Sequence, residues 1–495
     1  MRIGGLATGM DIDKLVNKLM KAERMPLNRM QQESTTLTWK RDAFRDINKK
    51  LLELDDMMLN MKYSSTYNAK SVSSSNESAV TAAASSDATN GTYNISVSNL
   101  ATSATNISSS GVGIDPNTAL KDTSYAEGFG TKSFKTYNED GSTTTHKFDV
   151  NENDTLNDVL ERISDADNNV RAFYDSNTKK VIVEATRAGN YNDDGDTTNG
   201  AEPEIDFTGN TFFTTTLNMD MANEKGGEDA KFNYNGIEMT SHNNSYELGG
   251  VTYQFKSEGS ASLTVSNDVE SSFDKITKFV EKYNEVVEKL NGSQQEEIYR
   301  DYKPLTDKQK EGMSEDEIEL WEEKAKSGIL RGESAISDGL FSMRRSWYSN
   351  VDTGGEITSL TQVGITTSSN YRDGGKLTID PVELKAALKE DPAGVQKLFS
   401  NSNEDGSRGL INRLDDALDS TRGKIEARAG SGFDTLENYS LGKRMKDLNT
   451  RISDFEDRLV RVENRYWSQF TQMEKAIQRM NQQSAQLMSQ FGGGA

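Results

Sequence analysis

The chain has 495 residues, with 78 acidic against 57 basic side chains, 39 glycines, six prolines and no cysteine. The missing thiols exclude a disulfide framework, a cysteine nucleophile and a thiolate metal site. The length allows about two to four domains, and an apolar share of 34% is low enough to suggest an extended shape or cores completed by other subunits.

The net charge of −21 is unevenly spread. Residues 1–62 carry 12 basic and 9 acidic side chains, residues 437–495 carry nine and seven, and 63–436 hold 36 and 62. An acidic centre of this kind disfavours nucleic acid and anionic membrane as partners. No run approaches ~18 apolar residues, so no membrane insertion is expected. The apolar stretch at 12–20 is broken by Asp13, Lys14, Asn17 and Lys18, which leaves no signal-peptide core. An exported chain of this kind needs a route that does not read a Sec-type signal.

In chain order, the first element is "GLATGMDIDKLVNKLM" (5–20). Ile12, Leu15, Val16 and Leu19 form one stripe of a helix. Asp11 and Asp13 suit its N-terminus, where carboxylates meet free N–H groups. Pro26 interrupts it and opens a second helix, expected from about 26 to 62. There Met30, Leu37, Phe44, Leu51 and Met58 fall seven apart, and Ile47, Leu54 and Met61 fill the position three later. Glu33 and Lys40 hold that position earlier, so the seam firms only from about residue 44.

The middle has another texture. "GTYNISVSNLA" (91–101) alternates as a strand does. A hairpin is expected around Asp140-Gly141, then a helix at 154–166 capped by Asp154, then a second hairpin at 170–185. Residues 246–268 read as two more strands. From 269 helices return, with Val269, Phe273, Ile276, Val280, Tyr283, Val287 and Leu290 in one stripe. Ser314 and Glu317 make a capping box, 359–380 reads as a short hairpin, and Asp380-Pro381 starts another helix.

The last element, about 437–491, has the strongest pattern. Met445, Leu448, Ile452, Phe455, Leu459, Val462, Tyr466, Met473, Ala476, Met480 and Leu487 alternate in steps of three and four, interrupted at Gln469, Gln483 and Gln490. That is a coiled-coil seam on a helix roughly 80 Å long. Each exposed Leu or Ile on it forgoes about 1.5–3 kcal/mol of burial. The simplest cover is the N-terminal helix lying back antiparallel. An intramolecular coiled coil alone is the plainer reading, but the C-terminal seam exceeds the N-terminal one by roughly twenty residues. Twelve of the 17 methionines lie in these two end segments, as coiled-coil filler or as seams that repack against changing neighbours.

Catalytic signals are poor. His146 and His242 stand alone in Thr/Asn-rich stretches and read as surface histidines. "NYNDDGDTTNGAE" (190–202) has Asn190, Asn192, Asp194 and Gly195 where a calcium loop has ligands and its glycine, but Ala201 takes the twelfth position, so it reads as an acidic turn. Carboxylate pairs abound in the acidic centre and none is singled out. Neither an enzyme, a cofactor nor a metal is expected.

"GLATGMDIDKLVNKLMKAERMPL" at the start resembles the bacterial flagellar filament cap proteins, the FliD or hook-associated protein 2 family. So do "YKPLTDKQKEGMSEDEIELWEEKAKSGILRGESAI" (302–336), "SLTQVGITTSSNYRDGGKLTIDPVELKAAL" (359–388) and "RYWSQFTQMEKAIQRMNQQSAQL" (465–487). The resemblance implies a structural protein exported through the flagellar type III apparatus without a cleaved signal peptide. It implies a homo-oligomeric ring, usually a pentamer, at the extracellular filament tip, which retains flagellin and promotes its polymerisation. Its partners would be itself, flagellin, the other hook-associated junction proteins and a cytosolic export chaperone that shields the C-terminal seam.

Carried onto this sequence, Leu6, Met10, Ile12, Leu15, Val16, Leu19, Phe470, Met473, Ile477, Met480, Leu487 and Phe491 would be terminal partner contacts. Phe44, Leu51, Leu54, Leu448, Ile452, Phe455 and Leu459 would form the coiled-coil leg. The expected class is α+β and multidomain: an antiparallel coiled-coil leg from the terminal helices, with inserted antiparallel β-rich head domains. Its segments would be 1–40 (partner contact, mobile before assembly), 41–67 (leg helix), 68–268 (head, with an inner domain near 105–225), 269–464 (helical leg domain) and 465–495 (partner contact). A second reading makes the acidic head an adhesive module on a helical stalk, and the two can coexist.

Overall fold

A computed structural model describes residues 11–125, 127–192, 203–405 and 407–491, with side chains through 488. The chain divides into two compact units, Met1–Tyr67 with Glu270–Ala495, and Asn68–Val269. The first unit starts with α1 (Ile12–Glu23), α2 (Met25–Met61) and the short α3 (Ser64–Tyr67). Asp11 caps α1, its carboxylate accepting from the Lys14 N–H at 2.9 Å. Pro26 lies in the first turn of α2, where a missing N–H leaves no bond unmade. Leu37, Phe44, Ile47, Leu51, Leu54, Met58 and Met61 are all buried, as their heptad spacing predicts.

Among its described residues the second unit is antiparallel β with one α-helix of ten residues. Its elements are β1 (Lys70–Ser74), β2 (Val80–Ala84), β3 (Gly91–Asn99), β4 (Ser103–Ile107), β5 (Gly130–Tyr137), β6 (Thr143–Val150), α4 (Leu156–Asp165), β7 (Val170–Asp175) and β8 (Lys180–Ala188). They continue with β9 (Ile205–Asp206), β10 (Ala230–Tyr234), β11 (Ile237–Ser241), β12 (Ser245–Leu248), β13 (Val251–Phe255) and β14 (Gly259–Asn267). One core lies with a five-stranded sheet, β1-β14-β3-β10-β11, and a three-stranded one, β12-β13-β2. Ile95, Val97, Phe232, Tyr253, Phe255 and Leu263 fill it. A separate core belongs to the sheets β4-β8-β7 and β6-β5-β9 with α4, built around Phe134, Phe148, Leu160, Val183, Phe212 and Phe213.

Two local expectations are corrected. Thr155, not Asp154, caps α4: it forms a reciprocal capping box with Asp158, while the Asp154 carboxylate accepts from the Asn151 N–H and Arg162 instead. Residues 246–268 make three strands, not two. Gly249 and Gly250 both take positive φ (62° and 77°), which makes the tight β12–β13 turn possible and isolates a four-residue strand too short to read from pattern.

The first unit resumes with α5 (Val269–Gln295), α6 (Asp307–Lys310), α7 (Glu315–Lys326) and α8 (Ser334–Ser346). The hairpin β15 (Ile365–Thr367)–β16 (Leu377–Ile379) follows, then α9 (Pro381–Glu390), α10 (Pro392–Ser400), α11 (Leu410–Ala429) and α12 (Ser440–Phe491). The Ser314–Glu317 capping box and the Asp380-Pro381 start of α9 form as expected.

The packing of α2 differs from a single shared seam. Its C-terminal half lies in a bundle with α5 and α11. Glu53 and Lys50 reach Lys282 and Glu285 on α5, and Asn48, Asp55 and Lys62 reach Glu426, Arg422 and Asp415 on α11. These pairs descend along one helix as they rise along the other, so both neighbours run antiparallel to α2. Only its N-terminal half meets α12, through Glu33–Arg444 (2.8 Å), Ser34–Asn449 (3.3 Å) and Arg24–Glu463 (3.9 Å). Phe44, Leu51 and Leu54 therefore do not lie opposite Leu448, Ile452, Phe455 and Leu459. The cause is that α11 and α12 divide the length of α2 between them, α11 taking residues 48–62.

Candidate assembly surface

Where α12 passes the N-terminal limb, Ile12, Val16, Met20 and Leu27 form one buried cluster with Leu459 and Val462, flanked by Met30, Ile452, Phe455, Tyr466, Trp467 and Phe470. Glu23 accepts from the Tyr466 hydroxyl at 3.0 Å beside it. Ile12 and Val16 are thus covered by the chain's own α12, which corrects the expectation that other subunits cover this stripe. Leu15 and Leu19, also expected on it, sit on the rim at 36% and 38% exposure. Leu6 and Met10 lie outside the described residues, as does the Phe491 side chain.

Further along α12 the cover ends. Phe470 is half-buried in the cluster, and Met473 and Ile477 are partly exposed. From Gln478 to Met488 every residue is exposed, including Met480 (59%) and Leu487 (53%). The heptad pattern continues here with its side chains exposed. Isolated helical turns with an apolar seam gain little from propensity alone; a helix of this type is held by what packs on it.

The second unit holds no catalytic constellation among its described residues. His146 is half-buried: its Nε2 lies 2.8 Å from the Thr136 hydroxyl, its ring packs on Phe134, and burial holds it below the ordinary imidazole range. His242 pairs through Nδ1 with Asp229 at 2.8 Å and stacks on Tyr191. Both side chains are partly exposed and pack against an aromatic neighbour. The stretch resembling a calcium loop lies outside the described residues from 193 to 202. Among described residues no group of carboxylates and histidines could hold a metal ion, and no helix is long and apolar enough to cross a membrane.

One partly buried acid was invisible in the sequence. Glu224 accepts from the Glu204 backbone N–H at 2.5 Å and, more weakly, from that of Ile205, while Glu204 accepts from the backbones of Tyr191 and Asn192. Burial pushes the Glu224 carboxyl up to about 7, with the nearby Glu204 charge adding to it. The adjoining cavity is about 10 Å³, room for no more than one water. This is a structural joint between strands.

The comparisons agree with the helical frame. Residues 8–104 match the model of the flagellar hook-associated protein 2 N-terminus and residues 227–482 that of its C-terminus. A flagellar hook-associated protein 2 from Halalkalibacterium halodurans is 35% identical over 99% of this chain and 100% of its own length. One from Escherichia coli K12 is 24% identical over 98% and 97%. In fold, the chain resembles the D1-D2-D3 domains of the flagellar cap protein FliD from Escherichia coli, with a TM-score of 0.55 at 18% identity over 82% of this chain and 99% of that one. Two family models in the right order and a full-length relative at this identity leave one conclusion: the chain belongs to the flagellar hook-associated protein 2 family.

Proposed function

We propose that the chain is the structural cap of a flagellar filament: it oligomerises into a ring at the distal tip, retains arriving flagellin and promotes its polymerisation. The observation that carries this reading is the exposed end of α12, a coiled-coil seam that continues past the cluster it forms with the described residues of α1 and α2. Such a seam serves a protein that must engage other chains at the tip. Met473, Ile477, Met480 and Leu487, with Leu15 and Leu19 beside the covered stripe, are the terminal contacts of the proposal. Flagellin and the other hook-associated junction proteins are its proposed partners, a pentamer its proposed ring, and type III export without a cleaved signal peptide its proposed route. A cytosolic chaperone would shield the same seam before export. The segments 1–40 and 465–495 are its partner-contact ends, and 68–268 its head, with an inner domain near 105–225. The family relatives lend no support to an adhesive head, and that reading is dropped.

The test is restoration of filament growth in cells lacking their own cap protein, with flagellin lost to the medium as the readout. The full chain restores filaments. A chain ending after Phe470 keeps the α1–α12 cluster yet leaks flagellin. A full chain that restores nothing, or a shortened one that works equally well, refutes the reading.

A further inference from the structure

Within the second unit a narrow neck joins the two cores. Among the described residues the chain passes from one core to the other at two places, at 100–102 between β3 and β4 and at 225–229 before β10. The two passages lie side by side. The Thr105 N–H donates to the Lys225 carbonyl at 2.7 Å and the Lys225 N–H to the Thr105 carbonyl at 2.9 Å, while the Thr102 N–H donates to the Glu228 carbonyl at 2.9 Å. Gly226 takes φ 85° here, so close to Ser103 that a Cβ would stand 2.3 Å from its carbonyl oxygen. A two-stranded ribbon twists readily, and a few residues suffice for a hinge. What fixes the lobe of β4–β9 and α4 must therefore lie beside the neck.

A second contact stands there. After β8 the chain presses on the other core at Gly189 (φ 102°), where a Cβ would come within 2.6 Å of His242. The Asn190 N–H donates to the Asp229 carboxylate at 2.7 Å, and the same carboxylate pairs with His242. The Tyr191 ring stacks on His242 with 4.5 Å between centroids, and Arg187 lies 4.1 Å over the Tyr191 ring.

Tyr191 is in turn held by carboxylates. Its N–H and that of Asn192 donate to Glu204 at 2.7 and 2.9 Å, and the Glu204 N–H donates to Glu224, which adjoins the neck at Lys225. Glu204 is 5% exposed, and the cavity it lines with Arg187 and Tyr191 is about 10 Å³, room for no more than one water. The charges acting on Glu204 are the Arg187 guanidinium and the Asp229 carboxylate, Glu204 acts on Glu224, and Glu139 from the β5–β6 turn acts on Tyr191. Arg187 already donates to the Tyr137 carbonyl, and the Lys225 side chain is exposed. Burial holds both Glu204 and Glu224 above the ordinary carboxylate range.

We propose that the lobe of β4–β9 and α4 pivots on this neck and that Tyr191 on His242 is its latch, closed while Glu204 and Glu224 hold one proton between them and released when both are charged. Ionising Glu224 sets a second charge against Glu204 in a space that cannot hydrate it. Glu204 relieves the repulsion by letting go of the Tyr191 and Asn192 N–H groups, and Tyr191 leaves His242. The latch does not depend on the cap reading.

In this cysteine-free chain, Asn177→Cys in the β7–β8 turn and Glu258→Cys in the β13–β14 turn, both exposed positions, can carry two spin labels, one on each side of the neck. Pulsed electron resonance on the full chain should give one narrow distance peak at about pH 6 and lose it at about pH 8.5, with the far-UV signal unchanged. Glu224→Gln should keep the peak at both values. Tyr191→Ala should lose it at both, and Tyr191→Phe, which keeps the ring, should follow the wild type. A wild-type peak of constant width, a Tyr191→Ala peak that stays narrow or broadens only with loss of the far-UV signal, or a Glu224→Gln peak that broadens as the wild type does would each overturn the latch.

Discussion

Glu224→Gln should erase a pH dependence of the second unit that the wild type shows. The Glu224 carboxyl ionises near 4.5 when solvated and at about 7 in the fold, chiefly because it is buried. Each unit of offset is worth about 1.4 kcal/mol, so the whole interval amounts to about 3 kcal/mol. The sign follows from which state holds the proton. Below 4.5 both folded and unfolded chains are protonated and the fold keeps its full stability. Between 4.5 and 7 the unfolded chain ionises while the folded one does not, so stability falls as pH rises, and above 7 the loss is complete. Glutamine keeps a carbonyl to accept from the Glu204 N–H but cannot ionise. The variant should therefore match the wild type at about pH 5 and exceed it by up to about 3 kcal/mol at about pH 8. Denaturant unfolding followed by far-UV circular dichroism measures this. A built-in control exists, since Trp39, Trp321, Trp347 and Trp467 all belong to the first unit. Indole fluorescence then reports the first unit, and wherever the second unit is in the same state in both proteins it should show no difference between them. Wild-type and variant curves that run parallel from pH 5 to 8 would refute the argument.

Other outcomes follow from burial and backbone geometry. Leu54→Ala, at a fully buried site, should cost about 2–5 kcal/mol by indole-monitored urea unfolding, whereas Met480→Ala should shift that transition by less than about 0.5 kcal/mol and show its effect in filament restoration. Val16→Asp places a carboxylate inside the α1–α12 cluster, so amide exchange at 12–23 should rise sharply while the second unit keeps its protection. Gly430→Ala should cost about 1–3 kcal/mol, because it meets both a positive φ and the Tyr439 ring; Gly432→Ala, with nothing within 4 Å, should be silent in calorimetry.

The long helices were legible because periods of seven over five or six repeats leave little choice of face. What a heptad does not carry is the identity of the neighbour. Leu51 and Leu54 were rightly expected to be buried, but no pattern in α2 says that α11 stops where α12 begins. In α1 the spacing predicts a stripe of Ile12, Leu15, Val16 and Leu19, and the buried set is Ile12, Val16 and Met20. A small rotation about the helix axis is enough to move Leu15 and Leu19 to the rim, and the sequence contains no term for it. Thr155 and Asp154 compete for one cap, and only the extended backbone at Thr155 decides it. Glu224 is one of many acids in an acidic segment, so its burial had no signal.

The entry and exit of the second unit are zipped together. β1 pairs with β14 from Lys70↔Asn267 onward, and the Asp268 N–H donates to the Ala69 carbonyl at 2.7 Å. For the first unit, an inserted segment of some 200 residues is thus equivalent to a turn of a few residues while it is folded. If it unfolds, the same two ends become the mouth of a long flexible loop, and holding them together costs about 3 kcal/mol more. The head can change in size and sequence without cost to the helical frame so long as it folds, yet a head that fails to fold weakens a unit whose own residues are untouched. Folding competence of the insertion, rather than its length, is what the frame selects.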